Sequence, residues 1–464
     1  MLRHPFILAF ISLTLGTLAA HFPVPILGVI LGMCGLVALW RWPLVGLLGL
    51  ILATLLGEFG RIQIGWLATS PLDILAPLIV GIWVLRKISY RENFTIPPGG
   101  FWLIGFWLMA IISLMLGSAV LQDGELTKPL LYLVRFIGGS ALFFLCYDLK
   151  PLQRQLLERS LYLTLTLLAL SGFVLLQLIP DFAAAGLAEL GWDPHIGRLT
   201  STWLDPNFVG GAFTLGLALI GSRLLDEKKW SGRLLFGSLA GVLLLALLLT
   251  YSRSALLAFA VAGLIIGVLR SRSALIIGIC IAILGVGVST RLQERLGEFA
   301  TSIVSVGTET MQTMDPTASL RVDSWREALR IWEGAPLLGV GFGTYVVHQR
   351  FAPGDSHAAT GADSSLLTLG ATTGIIGIIL LLGFLSQVFL TAWLGRRDPL
   401  TRGFLAGGAG LLIHAIFVNS LLFPPLTIYF FVLAGLALHH DHRIVIPAQA
   451  PKGPPHGGNP KNKQ

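Results

Sequence analysis

Four short segments carry residues whose chemistry stands out against an otherwise apolar chain. In RLTSTWLDPNFVGG (198–211), Arg198 precedes an apolar run and Asn207 follows Asp205-Pro206. In LLLTYSRSALLAF (247–259), Arg253 stands between Ser252 and Ser254, with apolar sequence on both sides. RVDSWREALRIWEGAP (321–336) holds Arg321, Arg326 and Arg330. HAATGADSSLLTLGATTGIIG (357–377) places His357, Asp363 and Ser364 just before a long apolar run.

Together these residue types suit an anion site. A guanidinium presents a planar fork that grips two phosphate oxygens. Arginines around a diphosphate neutralise the charge it gains as a bond to it breaks. A carboxylate such as Asp363 can take the proton of an attacking sugar hydroxyl. His357 and His348 are the alternative bases. Asn207, Ser252, Ser254, Arg326 and Ser364 are candidates to line the same cavity.

Each residue also has a plainer role. Asp205 or Asn207 can cap a helix with Pro206 in its first turn. Arg253 can snorkel to the membrane surface. Arg326 and Arg330, four apart beside Glu327 and Glu333, can form a solvated face. Asp363 can be a helix cap. Arg321, expected at a helix start beside Asp323, is harder to dismiss as surface. No HExxH, DxD pair or His–Cys cluster calls for a metal, and no P-loop calls for a nucleotide. The expectation is chemistry without a cofactor.

The elements that must position these residues are membrane spans. The chain has 464 residues, of which 54% are hydrophobic and 12% charged, with a mean hydropathy of +0.79. A soluble protein carries about 25% charge. Half of that cannot cover a water-soluble body of this size. A soluble enzyme, a disordered chain and a disulfide-stapled module are excluded, and solid Leu/Ile/Ala/Gly runs argue against a β-barrel. Cys34, Cys146 and Cys280 all fall in apolar runs and are read as small buried hydrophobes.

We expect an all-α polytopic membrane protein with about 12–14 spans, in 1–179, 180–289 and 365–440, a large loop at 290–364 and a disordered tail at 441–464. Candidate spans lie near 5–20, 24–40, 43–58, 70–86, 101–118, 129–147, 160–179, 207–222, 234–250, 254–269, 273–289, 365–390, 403–419 and 421–438. With the N terminus inside, 21 of the 32 basic residues fall on the inner side, ten outside, and Arg135 within a span. Short basic loops mark the cytoplasmic face. The formal charge of +8 is therefore topology rather than a nucleic-acid footprint. All four segments fall at the outer side.

In the large loop, Val322, Trp325, Ala328, Leu329 and Trp332 are spaced as one face of a helix that Pro336 ends. Gly339, Gly341 and Gly343 follow, giving a flexible turn or a close ligand approach to the backbone.

The order of DPNFVGG, YSRSA, RVDSWREALRIWEGAPLLGVGFGTY and DSSLLTLGATTGIIG resembles the O-antigen ligase and O-antigen polymerase superfamily over about 195–395. The resemblance implies an enzyme of the bacterial inner membrane, active outside the cytoplasm. It implies glycan transfer from an undecaprenyl-diphosphate carrier to lipid A-core, to another carrier-linked repeat or to a different acceptor. It further implies inversion at the anomeric carbon and no metal. Arg198, Arg253 and Arg321 would hold the diphosphate. Asp363 stands where many ligases have a histidine, eleven residues before Gly374, which tilts the expectation away from a standard ligase. A chain-length regulator is a candidate partner. A transporter or flippase and a non-catalytic scaffold are the alternatives.

Overall fold

The computed structural model describes residues 23–64, 67–270, 316–349 and 361–438, together with 273 and 276. The expected span at 5–20, that at 273–289 apart from residues 273 and 276, His357, Cys280 and the tail lie outside the described residues. Among those described, the chain runs through α1 (Pro23–Arg41), α2 (Pro43–Ala53), α3 (Pro71–Tyr90), α4 (Gly100–Gly117), α5 (Thr127–Tyr147), α6 (Pro151–Leu178) and α7 (Pro206–Asp226). It continues through α8 (Trp230–Leu249), α9 (Arg253–Leu269), α10 (Pro316–Gly334), α11 (Tyr345–Gln349), α12 (Ser365–Leu394), α13 (Pro399–Phe417) and α14 (Pro424–Leu438). A two-stranded antiparallel hairpin, β1 (Ile62–Ile64) with β2 (Leu67–Thr69), joins α2 to α3.

The protein is an all-α polytopic membrane protein. Among the described residues, eight segments are long and apolar enough to cross a bilayer: Pro43–Gly60, Gly100–Val120, Thr127–Tyr147, Pro151–Leu178, Pro206–Asp226, Trp230–Leu249, Ser365–Leu394 and Pro399–Phe417. Shorter apolar helices are Arg253–Leu269 and Pro424–Leu438. Large apolar side chains such as Phe101, Met115, Leu178 and Leu390 are exposed on the bundle's surface. Apolar surface of this extent is stable only against lipid. Cys146 is buried as expected, but Cys34 lies on the exposed surface of α1.

Helix starts follow local chemistry. Proline stands in the first turn of α2, α3, α6, α7 and α13, where its missing N–H costs nothing. Ser70 and Asp73 form a capping box on α3. The third expected span, 43–58, is the α-helix Pro43–Ala53 followed by a 3₁₀ turn over Thr54–Gly60.

The centre of the bundle is α14, buried from Pro425 to Leu438. At 15 residues it is about 22 Å long, short of the roughly 30 Å hydrocarbon core. It is sheathed in protein, with α5 packed along it. Next to it α7 and α13 run antiparallel, Gly403 and Gly407 of α13 lying against Leu219 and Leu215 of α7.

The end of the bundle remote from the four segments is tied by ion pairs. Arg402 reaches Asp226 at 2.7 Å, Arg270 the same Asp226 at 2.8 Å, Arg154 Asp398 at 2.7 Å and Lys87 Asp148 at 2.8 Å. Arg402 and Lys87 are buried, whereas their partners and the other two pairs are partly exposed.

Helix α12 is broken. Gly374 has φ 67° and ψ −173° inside its 30 residues. The freed backbone groups are met by segment 336–341. Ile375 N donates to Pro336 O at 2.9 Å, Val340 N to Ala371 O at 2.9 Å and Gly341 N to Thr372 O at 3.3 Å. Ser113 on α4 donates to Thr372 O at 2.6 Å. Non-helical backbone at membrane depth is tolerated only when protein satisfies it. Gly339 has φ 71°, and a Cβ there would lie 2.3 Å from Thr372 C. The close approach expected at this glycine is therefore made by the protein's own backbone.

Candidate active site at one end of the bundle

The first half of the site is built where the starts of α7 and α9 meet. Asp205 caps α7, accepting from Asn207 N at 2.6 Å and Phe208 N at 3.1 Å. That leaves the Asn207 side chain for other partners. Its Oδ1 accepts from Ser252 Oγ at 2.8 Å and from Arg198 Nη2 at 3.5 Å. Arg198 Nε donates to Thr250 O at 2.9 Å. Ser252 caps α9 through Ala255 N and lies 3.2 Å from Ser254 Oγ. Gly210 makes this approach possible, since a Cβ there would sit 2.6 Å from the Ala255 Cβ. Arg253 opens α9 and is half-buried.

The structure thus gathers Arg198, Asn207, Ser252 and Ser254, and Arg253 lies in the same turn. The capping role and the polar-cluster role are both filled, by neighbouring residues. Burial pushes the Asp205 carboxyl up, while its two N–H partners and Arg198 pull it back. His195, buried in the loop before α7, is pushed down to about 4 by burial and then by Arg198.

The second half is carried by α10, which starts at Pro316 rather than at Arg321. Arg321 therefore sits inside the helix, because the helical pattern begins before the apolar face that marked it. Arg321, Ser324, Trp325 and Ala328 share the face turned to the bundle. Ser324 and Ala328 are buried, and Arg321 Nε is shut off from solvent. Leu329, expected on the apolar face, is instead exposed.

Arg326 lies on the outer face with its side chain 61% exposed, 3.2 Å from Asp323. Arg330 is similarly placed, 2.8 Å from Glu327. Neither is drawn inward with Arg321, because residues five and nine positions on point to other sides of the helix. His348 lies on α11, its Nδ1 3.2 Å from Thr344 O.

Asp363 is held by this same helix. Its N–H donates to Ser324 Oγ at 3.0 Å, and its carbonyl accepts from Trp325 Nε1 at 3.0 Å. The cap of α12 is Ser364, through Leu367 N at 3.3 Å. Asp363 is thus relieved of capping, and Ser364 is the capping residue. Trp325 also packs on Phe417 at the end of α13, which seats α10 on the bundle. Tyr345 is buried near Asp363. Burial first, then the charges of Glu327 and Asp363, raises its phenol well above the usual range.

One residue not expected from the sequence packs against the first half and feels the charge of Arg321 in the second. His414, on α13, is fully buried. Its ring packs on Gly211 of α7, where a Cβ would lie 3.3 Å from it. Its Nδ1 is 2.6 Å from Ser420 Oγ. The Arg321 charge acts on the ring, and the Asn207 main chain lies beside it. The signal was available: an ionisable residue inside the apolar run LLIHAIF is a functional candidate by position alone.

Among the described residues no three His, Cys, Asp or Glu side chains gather as a metal site would need.

The sequence model described as O-antigen ligase matches residues 238–382. Over that stretch the chain is similar to the O-antigen ligase family. No curated protein matches it. The matched stretch contains Ser252, Arg253, Ser254, Arg321 and Asp363, and ends within α12 beyond the break at Gly374. Arg198, Asn207 and His414 lie outside it, yet the fold brings Arg198 and Asn207 onto Ser252. The match and the polytopic architecture together support an O-antigen ligase- or polymerase-like role at the level of the family.

Proposed function

We propose that the protein is a glycan polymerase or ligase of the bacterial inner membrane, with this end of the bundle outside the cytoplasm. It transfers glycan from an undecaprenyl-diphosphate carrier to an acceptor hydroxyl, which belongs to lipid A-core, a carrier-linked repeat or another glycan. The observation that carries this reading is the convergence of Arg198, Asn207 and Ser252 at the end of the bundle where α10 holds Arg321 and Asp363.

The acceptor oxygen attacks the anomeric carbon from the face opposite the carrier. The bond from that carbon to the diphosphate oxygen breaks, and its electron pair stays on the diphosphate. Arg198, Arg253 and Arg321 stabilise the charge that develops there. The acceptor proton passes to the Asp363 carboxylate, help typically worth about 10²–10⁴-fold. Inversion follows from a single displacement. The step consumes no nucleotide.

A transporter draws on one feature, the broken helix α12, since discontinuous helices often line transport sites. Here the freed groups pair with 336–341, which favours a fixed anchor for the loop over a route for solute. Deletion followed by envelope glycan analysis tests the proposal. Single repeats on the carrier indicate lost polymerisation, and full polymer on the carrier indicates lost ligation. An unchanged envelope glycan contradicts both.

A further inference from the structure

His414 is the buried polar group that the reaction above leaves unused. It is fully buried. Its two ring nitrogens differ in their surroundings. Nδ1 is committed to Ser420 Oγ at 2.6 Å. Nε2 is shut off from solvent and makes no hydrogen bond of ordinary geometry to any described residue. The Asn207 main chain is near without closing such a bond, and the Arg321 charge acts on the ring.

The partner turn is itself fixed. Leu421 N donates to Ser365 Oγ at 3.0 Å, and Ser365 Oγ donates to Val418 O at 3.3 Å, which ties the turn to the start of α12. On the same turn Asn419 carries a buried Oδ1 without a hydrogen bond, and its amide lies against Gly361, two residues before Asp363. A polar strip therefore runs from Asn207 through His414 and Asn419 toward Asp363. Leaving a buried ring nitrogen without a partner costs stability, so a histidine kept at this position needs a role that packing does not supply.

We propose that His414 is a positioning residue: Ser420 fixes the ring, and the Nε2 edge orients the Arg321 guanidinium toward the diphosphate. This rests on the proposed function, because it assigns Arg321 the same ligand. The rival is a packing role between α7 and α13, in which only the ring's bulk and its Ser420 contact matter.

Two replacements separate the nitrogens. Asparagine reaches only as far as Nδ1, whereas glutamine reaches the level of Nε2. The full chain is placed in nanodiscs and binding of undecaprenyl diphosphate is measured. In the diphosphate-bound state the proposed Nε2–guanidinium hydrogen bond, one to a charged group, is worth about tenfold or more in binding. H414N should therefore bind at least about tenfold more weakly, with H414Q close to wild type. In an R321A background H414N should add nothing, since both changes remove one interaction. S420A, which keeps the imidazole but releases Nδ1, should weaken binding severalfold and serves if H414N yields too little folded protein. Binding by H414N or S420A equal to wild type, or an H414N effect that persists in full without Arg321, overturns the proposal. A wild-type protein that does not bind the diphosphate, or whose binding is unchanged in R253A and in R321A, overturns the functional reading instead.

Discussion

Ser252 Oγ donates a 2.8 Å hydrogen bond to Oδ1 of Asn207, joining the starts of two helices 45 residues apart in sequence. The same hydroxyl caps α9. One serine therefore both begins a helix and holds the amide that Arg198 approaches. The two tasks make a specific stability prediction. S252A should lose the cap, worth about 0.5–2 kcal/mol, and the bridge as well, while S252T should restore most of both. In a double-mutant cycle on thermal unfolding in detergent, S252A and N207A should be less than additive by about 0.5–1.5 kcal/mol. Simple additivity would show that the pair does not act as a unit.

The arginines should divide by the face they occupy. R253A and R321A should abolish transfer, and R253K should restore little, because lysine lacks the planar fork. R330A should be mild. Arg330 is exposed and paired with Glu327, and surface pairs of this kind contribute about 0–1 kcal/mol. Transfer rates at matched folded yield decide it. Wild-type turnover in R253A would make that residue a structural anchor.

The break in α12 predicts that G374A is destabilising well beyond an ordinary helical substitution. A Cβ there would lie 2.2 Å from Leu337 O, and φ is 67°. The strain of a left-handed non-glycine residue adds to that overlap, about 1–3 kcal/mol for the backbone alone. The midpoint of thermal unfolding should fall, and 336–341 should gain susceptibility to protease. G263A is the control, because Gly263 on α9 has open space around it. Equal midpoints for the two variants would contradict the docking of this loop.

His195 gives a pH dependence with a definite sign. Its folded-state value is pushed down to about 4 from 6.5. Between those values the unfolded chain binds a proton that the folded chain refuses, so stability is complete above about 6.5 and lost as pH falls toward about 4. H195F keeps ring packing against Phe182 and removes the titration. The difference in unfolding midpoint between wild type and H195F should therefore shrink or reverse as pH falls through that window. A pH-independent difference would mean that His195 does not titrate as assigned.

Much of the frame was legible because a bilayer makes apolar length a direct signal. The spans near 129–147, 207–222 and 234–250 appear as α5, α7 and α8 with ends shifted by a few residues. Arg198, Asn207 and Ser252 were legible as polar residues at span ends. Their mutual contact was not, since it depends on Gly210 letting α7 and α9 meet. Sequence also left Asp205 and Asn207 as rival caps, and Asp363 as a cap or a base. Backbone geometry gives the caps to Asp205 and Ser364, so neither Asn207 nor Asp363 serves as one. The inward turn of Arg321 and the outward turn of Arg326 depended on where α10 begins, which periodicity placed five residues late. His414 was visible as a histidine in an apolar run, but its contacts come from α7 and from the turn after α13, which no local pattern connects.

The proposed reaction is transfer from a lipid diphosphate with Asp363 receiving the acceptor proton. The most direct measurement is release of carrier diphosphate, together with glycan extension, by purified protein in EDTA without nucleotide, comparing wild type with D363N. Because Ser364 supplies the α12 cap, D363N should fold and bind carrier almost normally, yet turn over more than about 100-fold more slowly. A wild-type reaction that requires a divalent ion or a nucleotide, or a D363N protein that turns over at the wild-type rate, would contradict the account.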